Sequence, residues 1–487
     1  MRLLTISLNP HEKKYLAIAA SIREAILSGQ LKPQDRLPAS RDLANQLNVN
    51  RHTIMAACDE LVAQGYLESL PRIGYQVVSV LPVEGCVPNE LNEIQQFNLA
   101  HLFKSPKASL SNADFNVRFN FAGGLPDITQ FSMKVFKSHL NTALKQLDLG
   151  SLHYQGTLGN AKLREQIKKY LIRARGLSSG EILITNGSQE ALFIVAQAVL
   201  QGGDNVAVEQ LSYPPACAAL SSNGANLITI EQDEFGIKPD SLTRVLAHSK
   251  IKLLYLTPLH QYPTTVTLSP QRRSQIYQLA QLHDFLILED DYDHEFHYRC
   301  SPLVPMAAND PDGRVIYIST FSKIMFAGAR LGYVSAHPQV IEYLANSKKI
   351  INHKTECVLQ QAVANWMSEG DFERHLRKMT QLYLARRDHL VLLLEGYKQA
   401  GYPITFAVPD GGMAIWLGCK RDLTGFTELA QVHGIYIQCQ HDFNSQVTNY
   451  DEQGFQYLRV GFASMEEQTR LEAVNALMAL LFPALRT

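Results

Sequence analysis

No paired cysteines, no long apolar run, no apolar leader and no surplus of charge mark this 487-residue chain. Its seven cysteines (Cys58, Cys86, Cys217, Cys300, Cys357, Cys419, Cys439) are scattered without a CxxC pair. That argues against a zinc site or a disulfide framework and fits reduced thiols; no metal is expected. The longest apolar runs, such as "LMALLF", are far too short to span a bilayer. The opening "MRLLTISLNPHEKKY" lacks the apolar stretch of a signal peptide. A cytoplasmic protein with no membrane partner is therefore expected. Lysine plus arginine number 45 against 46 aspartate plus glutamate, a net charge of −1. No global field draws such a chain to nucleic acid, so any DNA binding has to be local.

What is present is length and an ordinary globular composition, 46% apolar and 19% charged. One core does not serve so long a chain, and two or three domains are expected. Residues 1–79 read as one unit. "YLAIAASIREAILSG" places Leu16, Ala19, Ile22, Ile26 and Leu27 at helical spacing, with Gly29 as a stop. "PASRDLANQLN" offers Pro38 and Ser40 for a first turn and sets Leu43 and Leu47 on one face. "NRHTIMAACDELVAQG" opens on Asn50 as a cap and closes at Gly65, and "YLESLPRIGYQVV" alternates as a hairpin. Three helices and a hairpin make a winged helix-turn-helix. Residues 80–115 are rich in proline, glycine and serine and read as a linker.

From residue 116 to 487, strands alternate with helices: "EILIT", "NVAVE", "KLLYLT", "FLILED" and "VIYIST" are separated by helical patterns. This is the signature of a mainly parallel sheet covered on both faces. After about residue 345 helices dominate, followed by "GGMAIWLG", "GIYIQ" and "YLRVGFA", which predicts a smaller C-terminal α+β subdomain.

Chemistry gathers at strand ends of the body, where open sheets bind ligands. "ITNGSQEAL" turns from strand to helix at Gly187 and Ser188, an arrangement that suits an anion. The acid-rich "EDDYDHEF" (289–296) sets Asp290 and Tyr292 on one side of a strand and Asp291 on the other. It raises three options: a metal site, an acid–base pair or a counter-charge for a cationic ring. "YISTFSKIMFAGARLGY" delivers Thr320, Ser322 and Lys323, with Arg330 following, and "YLRVGFA" places Arg459 at a strand end. A lysine near hydroxyls and a basic residue suits phosphate binding and imine chemistry.

Over roughly 116–485, "YQGTLGNAKLREQIKKYL", "NGSQEAL", "VEQLSYP", "HQYPT", "EDDYD", "TFSK", "ARLGY" and "LRVGFA" occur in the order of the fold-type I pyridoxal phosphate enzymes. The body resembles that superfamily, typified by the aspartate aminotransferases. The resemblance implies an internal aldimine on Lys323, Asp290 at the pyridine nitrogen and Tyr292 at the ring 3′-oxygen with Gln261 or Tyr262 nearby. It implies Ser188, Gln189, Thr320, Ser322 and Arg330 around the phosphate, Tyr213 stacked on the ring, and Arg459 on a substrate carboxylate. The other acids of 289–296 are then expected on solvated or helix-capping positions. Three departures stand out: Thr265 where relatives usually have glycine, Ala327 where they often have proline, and Pro215 where some regulators carry a basic residue.

The first unit resembles the GntR family over "SIREAILSGQLKPQDRLPASRDLANQLNVNRHTIMAACDELVAQGYL". This implies operator DNA as partner, with the helix from Asn50 in the major groove. Arg51 would meet a guanine beside His52 and Thr53, Ser40 and Arg41 would meet phosphates, and Arg72 would reach from the wing. Residues 1–80 hold nine basic and seven acidic side chains, so one head binds weakly and a dimer is needed. Head plus body resembles the MocR/GabR regulators. That resemblance implies a homodimer, in the GabR type with exchanged heads, that senses a small amino compound through aldimine exchange at Lys323. The alternatives are a working aminotransferase with a DNA-binding head and a regulator that senses pyridoxal phosphate itself.

Overall fold

The computed structural model describes residues 13–71, 73–82, 117–147, 150, 153, 156–178, 180–298, 303–444, 451 and 453–485. The chain divides into two compact units, Met1–Ser105 and Pro106–Thr487. Most of the segment read as a linker lies outside the described residues, as does Arg72.

In the first unit, α1 (Lys14–Leu27), α2 (Ser40–Gln46) and α3 (Arg51–Ala63) precede an antiparallel hairpin of β1 (Leu67–Leu70) and β2 (Gly74–Val77). The buried stripe of α1 is Ile18, Ala19, Ile22, Ala25 and Ile26, while Leu16 and Leu27 are exposed. The expected spacing was right for the helix, but it misplaced the ends of the stripe. Ile18, Ile22 and Ile26 meet Ile54, Ala57 and Leu61 of α3 in one core with Leu67 and Val77 of the hairpin. Burying side chains of this size stabilises by about 1.5–3 kcal/mol each. Asn50 caps α3 by accepting from the His52 amide at 2.9 Å.

The second unit opens with β3 (Phe119–Asn120) and is built on seven strands: β4 (Glu181–Thr185), β5 (Asn205–Glu209), β6 (Asn226–Ile230), β7 (Ile251–Leu256), β8 (Leu286–Asp290), β9 (Val315–Thr320) and β10 (Gly332–Ala336). Their order across the sheet is β4-β10-β9-β8-β7-β5-β6. Only β10 runs against the others, pairing antiparallel with β9 on one side and β4 on the other. Central strands such as "VIYIST" are buried along their whole length because helices cover both faces. The parallel strands place their C-terminal ends on one edge of the sheet.

The C-terminal subdomain carries a four-stranded antiparallel sheet, ordered β11-β12-β15-β14 from β11 (Ile404–Phe406), β12 (Ala414–Cys419), β14 (Gln438–Cys439) and β15 (Gln456–Gly461). The short β13 (Ile435–Tyr436) pairs parallel with β3. Phe119 and Phe121, from the first described residues of this unit, thereby sit in the core of the last subdomain.

No helix among the described residues is long and apolar enough to cross a membrane.

Candidate functional site

Ends of β7, β8 and β9, the start of the helix Ser188–Val199 and the strap 122–125 line one cavity of about 290 Å³. Ser188, Gln189, Tyr213, Tyr262, Asp290, Tyr292, Thr320, Ser322, Lys323 and Arg330 all face it. Residues from six separated sequence motifs are thus brought together.

Lys323 follows β9 in a single 3-10 turn, Phe321–Lys323, capped by Thr320, whose Oγ1 accepts from the Ser322 amide at 3.1 Å. Its Nζ donates to the Gly124 carbonyl at 2.8 Å. Burial lowers the pKa of this amine; the nearby Arg459 charge adds to the effect, and Asp293 and Asp290 oppose it. Asp290 ends β8 and is buried. Its Oδ2 accepts from the Tyr255 hydroxyl at 3.0 Å, and its Oδ1 has no hydrogen-bond partner among the described residues. Burial raises this carboxyl to about 7, with Asp291 and Asp293 adding to the push against the Tyr255 bond and Lys323.

Gly187 makes the turn into Ser188 at φ +82°, and a side chain there would press on the Arg330 guanidinium at 3.2–3.3 Å. Arg330 donates to the Asn186 carbonyl at 2.7 Å. A cation, three side-chain hydroxyls and free helix amides therefore surround one turn, which suits a dianion.

Of the remaining expected residues, Tyr262 and Tyr292 face the cavity, while Gln261 and Arg459 are not among those that line it. Gln261 turns into its own loop, donating to the Leu211 and Tyr262 carbonyls and accepting from Thr264, and it does not line the cavity. Tyr262 does, beside a cis bond to Pro263, with its ring edge-on to Tyr213 at 5.0 Å. The Tyr292 hydroxyl donates to the His260 carbonyl at 3.0 Å. Arg459 is buried, spans the carbonyls of Pro263 and Gly123 (2.9 Å to Gly123), and lies 4.5 Å over the Tyr262 ring.

The acids beside Asp290 correct the sequence reading. Asp291, Asp293 and Glu295 are neither solvated nor capping; all three are buried. Asp291 accepts from Arg175 at 2.7 Å and from Tyr317 at 2.8 Å, and these partners outweigh burial and hold it near 2. Asp293 accepts from His260 at 2.6 Å. Glu289 alone meets the expectation: it accepts from the Met306 and Ala307 amides that open a short 3-10 helix. Tyr255 and Gly123–Gly124 went unrecognised. The phenol interrupting the aliphatic "KLLYLT" was the available signal, since a buried hydroxyl requires a partner.

In the first unit, Arg41, Arg51 and His52 are exposed at the starts of α2 and α3, while Ser40 and Thr53 are half-buried. Arg51 Nε donates to Ser40 Oγ at 3.2 Å, tying the two helix starts together.

Residues 127–477 match the family described as aminotransferase class I and II, and residues 14–77 match the bacterial regulatory proteins of the gntR family. The chain is 28% identical to the probable rhizopine catabolism regulatory protein MocR of Rhizobium meliloti, over 94% of this chain and 91% of that protein. It is 30% identical to the HTH-type transcriptional regulator TauR of Rhodobacter capsulatus, over 81% and 82% of the two chains. Among solved structures, the kynurenine aminotransferase of Pyrococcus horikoshii superposes with a TM-score of 0.71 at 29% identity, covering 80% of this chain and 99% of that one.

The residues present fit the cofactor of that family. The orphaned buried oxygen of Asp290 suits a protonated ring nitrogen, the Lys323 amine suits an aldehyde, and the turn at Ser188 with Arg330 suits a phosphate. This chain belongs to the class I and II aminotransferase family, with pyridoxal 5′-phosphate as its cofactor, and carries a DNA-binding GntR-family winged helix-turn-helix ahead of that domain.

Proposed function

We propose that this protein is a transcriptional regulator whose body senses a small amino compound at Lys323 and thereby changes how its heads hold operator DNA. The observation that carries this reading is one cavity holding both the Lys323 amine and the unpaired oxygen of Asp290, in a chain that also exposes Arg51 and His52 at the start of α3. When bound, pyridoxal phosphate supplies an aldehyde carbon at which one primary amine replaces another, two hydrogens of the incoming nitrogen passing to the departing one. Lys323 suits the resident position because its lowered pKa leaves more of it neutral and nucleophilic.

Asp290 would hold the ring nitrogen, while Ser188, Gln189, Thr320, Ser322 and Arg330 would hold the phosphate. Tyr213 and Tyr262 would flank the ring, and Tyr292 would reach the ring oxygen by leaving the His260 carbonyl. Arg459 would take an effector carboxylate in place of the backbone oxygens it now binds. On the DNA side, Arg51 with His52 and Thr53 would read bases, and Ser40 and Arg41 would meet phosphates. A homodimer is supported by Tyr343 and Ile350, seven residues apart on the helix Pro338–Asn352 and 71% and 89% exposed.

The test is operator binding measured while the cofactor absorbance is titrated with a panel of amino acids and amines. A compound that shifts the spectrum should also shift sequence-specific DNA affinity. Binding that is blind to sequence, or spectral change without any change at the operator, would remove the regulatory reading. A second reading, a working aminotransferase with a DNA-binding head, is favoured by the lowered pKa of the Lys323 amine, which eases its use as a base. Rapid multiple-turnover conversion of an amino acid would select it.

A further inference from the structure

Arg330 owes its place at the cavity to the turn beside it. Its Nη2 donates to the Asn186 carbonyl at 2.7 Å, and the bare Cα of Gly187 leaves the guanidinium room. Asn186 is in turn held by Glu190, whose carboxylate accepts from the Asn186 backbone amide and, at 3.1 Å, from Asn186 Nδ2. Glu190 is the third residue of the helix Ser188–Val199, a position from which an acid usually reaches back to the N-cap amide. Here it reaches one residue further, to the residue whose carbonyl holds Arg330.

On its far side Glu190 meets the helix Pro338–Asn352. Lys348, fully buried, donates to both Glu190 oxygens at 3.4 Å and to Asn352 Oδ1 at 2.8 Å, while Asn352 Nδ2 donates to Glu190. A lone carboxylate in the first helical turn would repel an anion bound at that turn, and the Lys348 charge offsets it. Glu190 is not among the residues that line the cavity.

We propose that Glu190, with Lys348 as its counter-charge, is the positioning residue of the phosphate cradle, fixing Asn186 so that its carbonyl aims the Arg330 guanidinium at the cofactor phosphate. The inference rests on the reading of Arg330 as a phosphate ligand and adds two residues that do not touch the cofactor. The bond to Asn186 uses one nitrogen of the guanidinium and leaves its other donors for the anion, so relay and ligand do not compete. Charge-assisted hydrogen bonds depend on direction as well as distance, so a guanidinium turned away from the phosphate loses most of that contact.

The experiment compares the affinity of the full-length protein for pyridoxal 5′-phosphate and for pyridoxal, which lacks the phosphate, both read from absorbance. Inorganic phosphate is added as a competitor. Glu190→Gln keeps the side chain's shape but strands the buried Lys348 charge, so Glu190→Gln combined with Lys348→Met is made beside it. Both variants should weaken pyridoxal 5′-phosphate and inorganic phosphate by about tenfold and leave pyridoxal unchanged. In an Arg330→Ala background, Glu190→Gln should add nothing further. If Arg330→Ala leaves the preference for the phosphorylated ligand intact, the phosphate reading of Arg330 falls and the relay with it. If Arg330→Ala lowers that preference and the Glu190 variants do not, the relay alone is overturned. Equal weakening of both ligands by the Glu190 variants would also overturn it and make Glu190 a residue of the fold.

Discussion

The Tyr255 hydroxyl holds one oxygen of the buried Asp290 carboxylate at 3.0 Å and leaves the other unpaired. A carboxyl so placed titrates near 7 rather than in the ordinary carboxylate range, chiefly because burial disfavours its charge. The folded chain therefore binds this proton more tightly than the unfolded chain does. Asp290's contribution to stability is full below about pH 4 and is lost as pH rises to 7, a change of at most about 4 kcal/mol. A protonated ring nitrogen would restore it. The rise in Tm on adding pyridoxal phosphate should be larger at pH 8 than at pH 5.5, and Asp290→Asn should flatten that difference. Equal rises at both pH values in the unsubstituted protein would separate Asp290 from the ring.

Thr265 adopts φ +65°, a left-handed conformation that is costly for a β-branched residue. Its amide donates to the Gln261 carbonyl at 2.7 Å, which holds the loop in place despite the strain. Thr265→Gly should stabilise the body by about 1 kcal/mol, the strain relieved less the added freedom of glycine in the unfolded chain. Urea unfolding checks this, and a destabilised variant would show that the threonine side chain has a compensating role.

Arg175 and Asp291 form a buried ion pair at 2.7 Å behind the strand end that presents Asp290. Removing one partner leaves the other charged and dry. Arg175→Met should cost about 3–5 kcal/mol in urea unfolding, and Arg175→Met with Asp291→Asn should recover much of that loss. Equal losses in the single and double variants would show that packing, not charge, is what Arg175 supplies.

Arg51→Ala should weaken operator binding by about 1–3 kcal/mol and relax discrimination at one base pair. Arg41→Ala should weaken binding to all sequences alike and lower the salt slope by about one. Fluorescence anisotropy on an operator series over a salt range distinguishes the two. If Arg51→Ala behaved as Arg41→Ala should, base reading would have to be reassigned away from α3's first turn.

The strand ends carrying Ser188, Asp290, Ser322 and Lys323 were legible because each follows a short apolar run and precedes a turn or helix, a local pattern, whereas Arg330 follows a 3-10 turn and was placed through the order of motifs. Tyr255 was not, since its partnership with Asp290 depends on β7 lying beside β8, which sheet order alone decides. The burial of Asp291, Asp293 and Glu295 was hidden for a similar reason. Acid-rich stretches favour solvent unless partners arrive, and Arg175, His260, His294 and Tyr317 arrive mainly from other elements. Arg459 was placed at the right strand end, but nothing local indicates that its guanidinium rests on the backbone of a strap far earlier in the chain.

The reversed strand β10 has a consequence for how the site tolerates change in length. Because β10 returns directly beside β9, Lys323 and Arg330 are carried on one hairpin connection rather than on separate crossovers. A single deletion inside that arch would shift the amine and the guanidinium out of phase together, whereas a helical crossover between parallel strands can absorb a lost residue at its surface loops. The lineage of this chain is therefore expected to vary freely in the length of its crossovers and hardly at all between Ser322 and Arg330.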